Sequence, residues 1–184
     1  MALTESAMLS LGTTAPDFVL TDVVTGKPVA TKTVAGPKGL LVMFICRHCP
    51  FVKHLETALA QLGRDYADKG IGIVAISSND AGNYPDDAPE SLAQQARNLG
   101  FTFPYLYDET QDVARAYDAA CTPDFFLFDG GLKLVYRGQF DDSRPGNGIP
   151  VTGTDLRGAI DALLQGRPIS PDQRPSIGCN IKWK

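Results

Sequence analysis

Several residue types and patterns are scarce in this chain. Its 184 residues include one tryptophan, two histidines, three methionines and four cysteines. No apolar run approaches the length of about 20 residues that a membrane-spanning helix requires, so we expect no membrane partner. Lysine and arginine total 17 against 21 acidic residues. Because like charges form no block, we expect no nucleic-acid partner either.

The N-terminal segment also lacks the pattern of a secretory signal. Residues 1–14 have no basic region followed by an apolar core, and we therefore expect a cytoplasmic protein. Cysteines in a reducing cytoplasm are more often catalytic, redox-sensing or metal-binding than structural. The few cysteines of this chain are therefore the first candidates for its chemistry.

Length and proline spacing predict one domain followed by a tail. A chain of this length with 43% hydrophobic residues is expected to bury about 70% of its unfolded surface. Pro168, Pro171 and Pro175 interrupt regular structure from residue 166 onward. The apolar Ile181 and Trp183 near the C-terminus indicate docking onto the body. We predict a domain over residues 1–165 and a docked tail over 166–184.

Apolar periodicity predicts alternating strands and helices. Residues 40–45 and 71–76 are continuous apolar runs, typical of strands covered on both faces. Helical spacing follows each run, up to about residue 70 and over 89–99. The other predicted elements are an N-terminal hairpin about residues 25–26, a strand over 103–106, a short helix near 113–117, a hairpin about 129–131 and a last helix capped by Thr154.

These elements predict an α/β fold with a central mixed β-sheet flanked by helices. The strands that alternate with helices supply its parallel part, and the hairpin about residues 129–131 supplies an antiparallel edge. The N-terminal hairpin is an extension of this core. Ligand chemistry in such sheets collects at the carboxyl ends of the strands, and residues 46–49 lie at one such end.

The most informative motif is Cys46-Arg47-His48-Cys49-Pro50, between a predicted strand and a predicted helix. A cysteine at a helix start faces free N–H groups and the positive end of the helix dipole, which favour the reactive thiolate. The dipole contributes about 0.3–1 kcal/mol, which lowers a pKa by less than one unit. Positive charge on Arg47 or His48 and a hydrogen bond from Cys46 would lower it further. Cys49 is therefore the predicted nucleophile.

Three segments carry a family resemblance. Residues 15–18 (Ala-Pro-Asp-Phe), 46–50 and 122–128 resemble the thioredoxin-like superfamily, specifically its alkyl hydroperoxide reductase/thiol-specific antioxidant branch, and the resemblance covers residues 15–164. It implies a thioredoxin-like fold in which a cis peptide bond before Pro123 faces the active-site cysteine. The residue before it, Thr122, is then expected beside the substrate.

Two alignments with this superfamily agree on Cys49. In the thioredoxin register, Cys49 takes the attacking position and Val52 stands where a resolving cysteine is expected. In the peroxiredoxin register, Cys49 is the peroxidatic cysteine and Cys46 replaces a threonine. The arginine that peroxiredoxins keep near the sulfur is missing from residues 121–124, and Met43 stands where thioredoxins keep a buried aspartate. His48 is then the expected proton carrier.

The resemblance implies a thiol–disulfide oxidoreductase without a bound cofactor. Cys49 would attack a protein or small-molecule disulfide, Cys46 would resolve the mixed disulfide, and an external dithiol would restore the reduced enzyme. A peroxide substrate would instead convert Cys49 to a sulfenic acid. Cys121 and Cys179 are additional candidate thiols, and Cys179 on the tail is an alternative resolving residue for Cys49.

Two other functions use the same residues differently. The four cysteines could form a zinc centre, but structural zinc sites usually bring two close pairs and this chain has one. We therefore predict no metal site. A binding module without redox activity is the second alternative, because a fold does not determine a function.

Overall fold

The structure, a computed structural model that describes residues 3–184, alternates strands and helices. A 3₁₀ turn spans Pro85–Asp87. The helices are α1 (Thr31–Val34), α2 (Pro50–Tyr66), α3 (Pro89–Leu99), α4 (Asp112–Ala116) and α5 (Thr154–Leu164). The strands are β1 (Leu3–Glu5), β2 (Val19–Asp22), β3 (Pro28–Ala30), β4 (Gly39–Phe44), β5 (Ile71–Ser77), β6 (Tyr105–Tyr107), β7 (Cys121–Thr122), β8 (Asp124–Asp129), β9 (Leu134–Gly138) and β10 (Ile177–Asn180).

Seven strands form a central sheet in the order β3-β2-β6-β5-β4-β8-β9. Strand β4 pairs with β5 in parallel and with β8 in antiparallel orientation, and β5 pairs with β6 in parallel. Strands β8 and β9 form an antiparallel hairpin, as β2 and β3 do at the other edge. The predicted mixed α/β sheet and both predicted hairpins are confirmed.

Strand β4 is central because every one of its six residues is buried. Its side chains alternate between two apolar layers, as a strand with two covered faces requires. Leu41 and Met43 pack in the layer that holds the buried residues of α2, α3 and α5. Val42 and Phe44 pack in the opposite layer, which includes Tyr117 just after α4. This sandwich fixes the carboxyl end of β4, where the cysteine motif begins.

A second sheet covers that end of the molecule. Strand β10 lies between β1 and β7 and is antiparallel to both. The expectation of irregular structure from residue 166 onward is wrong at Ile177–Asn180, because this segment begins after the last proline, Pro175. It can therefore donate its N–H groups to neighbouring strands. The predicted boundary between domain and tail at residue 165 stays a prediction.

The last helix differs from its prediction by one position. Thr154 is the first residue of α5, and Gly153 precedes it as the N-cap with a φ of 69°. A glycine adopts this left-handed conformation without steric cost. Within residues 3–184, no helix combines the length and apolar character needed to cross a membrane.

The packing of α2 against the sheet generates a first prediction. Leu59 on this helix is fully buried, whereas Thr57 is exposed. We expect Leu59→Ala to lower the free energy of unfolding by about 2–5 kcal/mol, because it removes buried methyl groups and leaves a cavity. Thr57→Ala should change it by less than about 0.5 kcal/mol. Urea unfolding of both variants would test this, and equal losses would contradict the packing described.

Candidate active site

The cysteine motif forms the corner between β4 and α2. Cys46 follows the last residues of β4, and Cys49 is the N-cap of α2 with Pro50 as the first helical residue. Proline suits that position because it has no N–H group to leave unsatisfied. Both cysteines are 0% exposed. The two cysteines therefore lie under other parts of the chain, whereas Arg47 and His48 between them are partly exposed.

Thr122 contacts both sulfur atoms of the motif. The Thr122–Pro123 peptide bond is cis, which confirms the predicted conformation. The Thr122 hydroxyl Oγ1 lies 3.4 Å from Cys46 Sγ, and its carbonyl oxygen lies 3.3 Å from Cys49 Sγ. When Cys49 is protonated, its thiol can donate to that carbonyl oxygen. Strand β7 thus holds the residue before Pro123 against the two predicted redox thiols.

A third sulfur reaches Cys49 from the C-terminal strand. The register of β10 on β7 pairs Cys179 with Thr122. This places the Sγ atoms of Cys49 and Cys179 2.7 Å apart, in a hydrogen bond between two buried side chains. The structure therefore brings Cys46, Cys49 and Cys179 to one place, and we refer to them as the sulfur trio.

The three sulfurs differ in protonation. Hydrogen bonding from Cys46 is the largest influence on Cys49, and it lowers the pKa of Cys49 to about 5 against the opposing effect of burial. Hydrogen bonds from Cys179 and from the backbone N–H of Val52 lower it further. Burial raises the pKa of Cys46 well above its ordinary value and that of Cys179 to about 12. A pKa of about 5 favours the thiolate form of Cys49 at pH 7, and in that form Cys49 can accept hydrogen bonds from the other two thiols.

Cys121, the fourth cysteine, lies outside the sulfur trio. Its thiol donates to the carbonyl oxygen of Pro123 over 3.6 Å. Burial is the main reason that the pKa of Cys121 is raised far above its ordinary value. A buried thiol that stays protonated is a poor nucleophile.

Asp87 holds the loop between the two motif cysteines. Its carboxylate accepts hydrogen bonds from the backbone N–H groups of Arg47 at 2.7 Å and His48 at 3.1 Å, and from Asn79 Nδ2 at 2.9 Å. It also pairs with Nδ1 of His48. Burial opposes ionisation, but these hydrogen bonds keep the pKa of Asp87 below its ordinary value. The loop is therefore anchored to one buried charge.

The side chains of Arg47 and His48 point in different directions. Arg47 donates from Nη1 to the carbonyl oxygen of Ser91 on α3 over 3.2 Å, so its predicted electrostatic role at the sulfur stays a prediction. The His48 ring stacks on Tyr84 with centroids 5.3 Å apart. Nε2 of His48 is buried without a hydrogen-bond partner among residues 3–184, which leaves that nitrogen available for proton transfer.

A metal ion could be held by Cys46, His48 and Asp87, whose ligand atoms lie within 4.8 Å of one another. They provide sulfur, nitrogen and oxygen donors, the set that zinc accepts. However, the Asp87 carboxylate already accepts from four donors, and Cys46 is kept protonated by burial. Hydrogen bonding within the loop accounts for this cluster.

Sequence reasoning missed two buried carboxylates at the site. Asp87 lies 38 positions beyond Cys49, in a turn whose sequence carries no recognisable catalytic motif. Asp124 directly follows Pro123, and burial raises its pKa to about 7. Ser6 donates a hydrogen bond of 2.8 Å to Asp124 Oδ1, while Oδ2 has no partner within the described part of the chain. An acidic residue opening an apolar strand was the available signal for Asp124.

The central mixed sheet and the cis-proline beside two buried cysteines define a thioredoxin-like fold. The sequence model of the AhpC/TSA family matches residues 11–137. The chain belongs to the AhpC/TSA family.

Individual relatives agree with this assignment. The chain is 30% identical over 137 residues to the thiol-disulfide oxidoreductase ResA of Geobacillus kaustophilus, a match that covers 73% of this chain and 74% of that protein. A crystal structure of an uncharacterized conserved protein from Geobacillus kaustophilus shares 59% identity and a TM-score of 0.98, covering 100% of this chain and 97% of that one. The thioredoxin domain of a Bacteroides vulgatus thiol-disulfide oxidoreductase shares the fold, with 23% identity, a TM-score of 0.61 and coverage of 73% and 91%.

The hydrogen bond from Cys46 generates a prediction about the acidity of Cys49. We expect Cys46→Ala to raise the pKa of Cys49 from about 5, because it removes the largest stabilising influence on the thiolate. Cys46→Ser, which keeps a hydroxyl donor, should raise it less. Thiolate absorbance near 240 nm, followed against pH, measures this directly. An unchanged titration midpoint in the alanine variant would refute the role assigned to Cys46.

The buried Asp124 generates a prediction about pH and stability. Its folded pKa of about 7 lies above its ordinary value of 3.8, so ionisation is costlier in the folded state. Well below pH 4 the carboxyl group is protonated in both the folded and the unfolded state, and it costs no stability through ionisation. As the pH rises towards 7, the unfolded state loses the proton more readily, and the free energy of unfolding falls. The stability of Asp124→Asn relative to the natural chain should therefore increase over this interval. Urea unfolding at pH 4, 5.5 and 7 tests it, and a constant difference would contradict the assignment.

Proposed function

We propose that the protein is a thiol–disulfide oxidoreductase that uses the Cys46-x-x-Cys49 pair, with Cys49 as the nucleophile. The observation that carries this proposal is the buried sulfur at the start of α2, whose pKa is lowered to about 5 mainly by the Cys46 thiol. A free cysteine with a pKa near 8.5 is only about 3% thiolate at pH 7. The site thus supplies the reactive form of one sulfur and keeps its neighbour protonated.

The proposed reaction has two exchange steps. The Cys49 thiolate attacks one sulfur of a substrate disulfide, forms a mixed disulfide and releases the other substrate sulfur as a thiolate. Cys46 then loses its proton and attacks Cys49 Sγ, which releases the second substrate thiolate and forms the Cys46–Cys49 disulfide. An external dithiol reverses this oxidation of the enzyme.

Cys46 requires a proton acceptor because its pKa is raised. His48 is the proposed proton carrier, since Asp87 binds its Nδ1 and leaves Nε2 unpaired among residues 3–184. The carboxylate favours the tautomer with the proton on Nδ1, so Nε2 can accept a proton. Asp87 is then a positioning residue that acts through His48.

The substrate side of the proposal follows from Thr122 and Pro123. We assign these buried residues to the contact with a protein or small-molecule disulfide, because Thr122 contacts both sulfurs. We place the reaction in the cytoplasm, where a dithiol donor is available and thiols stay reduced. Cell fractionation would test that location, and recovery outside the cytoplasm would overturn it.

The activity is tested by reduction of insulin with dithiothreitol as donor. Cys49→Ser should lower the rate by more than about 10³-fold, because the nucleophile is lost. The double variant Cys46→Ser/Cys179→Ser, which lacks both thiols that could resolve it, should accumulate a mixed disulfide on Cys49, detectable by mass spectrometry. Cys121→Ser is the matched control, since its thiol lies outside the sulfur trio, and it should keep the rate of the natural chain.

A parallel assay with hydrogen peroxide as substrate distinguishes a disulfide oxidoreductase from a thiol peroxidase. A disulfide-specific enzyme should consume the peroxide no faster than free cysteine does. Rapid consumption with a trappable sulfenic acid on Cys49, together with no insulin reduction, would replace this proposal with a thiol peroxidase. Insulin reduction that survives Cys49→Ser would overturn the choice of nucleophile.

A further inference from the structure

Strand β10 occupies the edge of β7 beside the active-site sulfurs. Among the described residues, β7 pairs with β10 alone. Without β10, the N–H and C=O groups of Cys121 and Thr122 would form an open edge that an extended polypeptide could join. The chain's own C-terminal segment therefore stands where an external strand would approach Cys49.

The fit between β10 and β7 is unusually close at Gly178. A Cβ atom added there would lie 2.0 Å from the carbonyl oxygen of Thr122. Only glycine lets the two backbones approach this closely. Two residues earlier, Ser176 Oγ donates to the carbonyl oxygen of Pro123 over 2.6 Å. These contacts set the position of Cys179, whose sulfur is 2.7 Å from that of Cys49.

Residues after β10 anchor it to the loop that holds the motif. The backbone N–H of Lys182 donates to Asn79 Oδ1 over 2.8 Å, and its carbonyl oxygen accepts from Asp80 N at 2.9 Å and Gln111 Nε2 at 2.8 Å. Asn79 in turn donates to Asp87, which holds Arg47 and His48. The tail and the motif loop thus share one hydrogen-bond network.

We propose that Cys179 is a third redox-active thiol, which exchanges with the Cys46–Cys49 disulfide and makes β10 an internal substrate strand. The inference rests on the proposed function, because it needs that disulfide as its starting point. Cys179 loses its proton and its sulfur attacks Cys49 Sγ. The Cys49–Cys179 bond forms, the Cys46–Cys49 bond breaks, and Cys46 leaves as a thiolate that takes up a proton. One disulfide and one thiol are present before and after, so no further oxidant is needed.

The short distance between the Cys49 and Cys179 sulfurs supports this exchange. A disulfide bond measures about 2.05 Å, so the Cys49 and Cys179 sulfurs need to approach by less than about 1 Å. Cys46 and Cys49 are 0% exposed and Cys179 is 1% exposed. An external polypeptide strand must therefore displace β10 before it pairs with β7, and it competes with Cys179 for Cys49.

Disulfide mapping tests the inference. Reduced protein is treated with one equivalent of diamide, blocked with N-ethylmaleimide in acid, and digested with trypsin, which cleaves after Arg47 and separates Cys46 from Cys49. We expect both Cys46–Cys49 and Cys49–Cys179 bridges in the natural chain. In Cys46→Ser the Cys49–Cys179 bridge should be the main product, and in Cys179→Ser the Cys46–Cys49 bridge should remain.

Gly178→Ala is the sharper variant, because it keeps all four thiols and acts at the close contact between β10 and β7. We expect the yield of the Cys49–Cys179 bridge to fall by at least about tenfold, since misplacement of reacting atoms by about 1 Å is costly. The Cys46–Cys49 bridge should persist. Gly158→Ala on α5 is the matched control, because a Cβ atom there meets nothing within 4 Å, and it should leave both bridges unchanged.

The outcomes separate this inference from the proposed function. Full alkylation of Cys179 in oxidised Cys46→Ser, with a normal Cys46–Cys49 bridge in the natural chain, would overturn the internal exchange and leave the oxidoreductase intact. An undiminished Cys49–Cys179 bridge in Gly178→Ala would overturn the placement by β10. No bridge to Cys49 in any variant would overturn both the proposed function and the exchange.

Discussion

The site depends on one physical constraint, which is that a charged sulfur without solvent contact must be stabilised by donors from the protein. Cys49 is fully buried, and its pKa is nevertheless lowered from an ordinary value of 9.0 to about 5. Helix α2 alone does not account for this, because a helix dipole contributes about 0.3–1 kcal/mol. The thiols of Cys46 and Cys179 supply the larger part as hydrogen-bond donors. The positions of these two thiols depend on β4, β7 and β10. The fold around the site therefore places the donors that stabilise the Cys49 sulfur.

Features with a local cause were predictable from the sequence. Strand β4 is a continuous apolar run, and α2 combines helical apolar spacing with Pro50 at its first position. Each is decided by residues within one segment. The cis bond before Pro123 was predicted by resemblance, since 122–128 carries the motif. The hairpins at residues 25–26 and 129–131 likewise follow from short turn signals between apolar runs.

Features that need two distant segments were not predictable in this way. Strand β10 is four residues long and forms only because β1 and β7 lie on either side of it. Its contact with Cys49 joins residues 130 positions apart. The role of Asp87 also depends on a distant segment, since its buried carboxylate is stabilised by N–H groups from residues 47 and 48. A pattern within one sequence window carries no information about such partners, and Cys179 therefore remained one alternative among several.

The unequal protonation of the sulfur trio also determines how its disulfides behave. A thiolate with a low pKa is a good leaving group, so an external thiolate that attacks Cys46 or Cys179 in a bridge to Cys49 releases Cys49 as the thiolate. Both disulfides proposed here include Cys49, and reduction of either one by an external dithiol therefore releases the sulfur that the protein stabilises most. Burial is the main reason that Cys46 and Cys179 keep high pKa values, and the hydrogen bond that each makes with Cys49 raises them further. Loss of either hydrogen bond would raise the pKa of Cys49 and destabilise its thiolate. The disulfides that include Cys49 would then be harder to reduce. The same two thiols thus stabilise the reduced enzyme and, once deprotonated, compete for the one sulfur that both can reach.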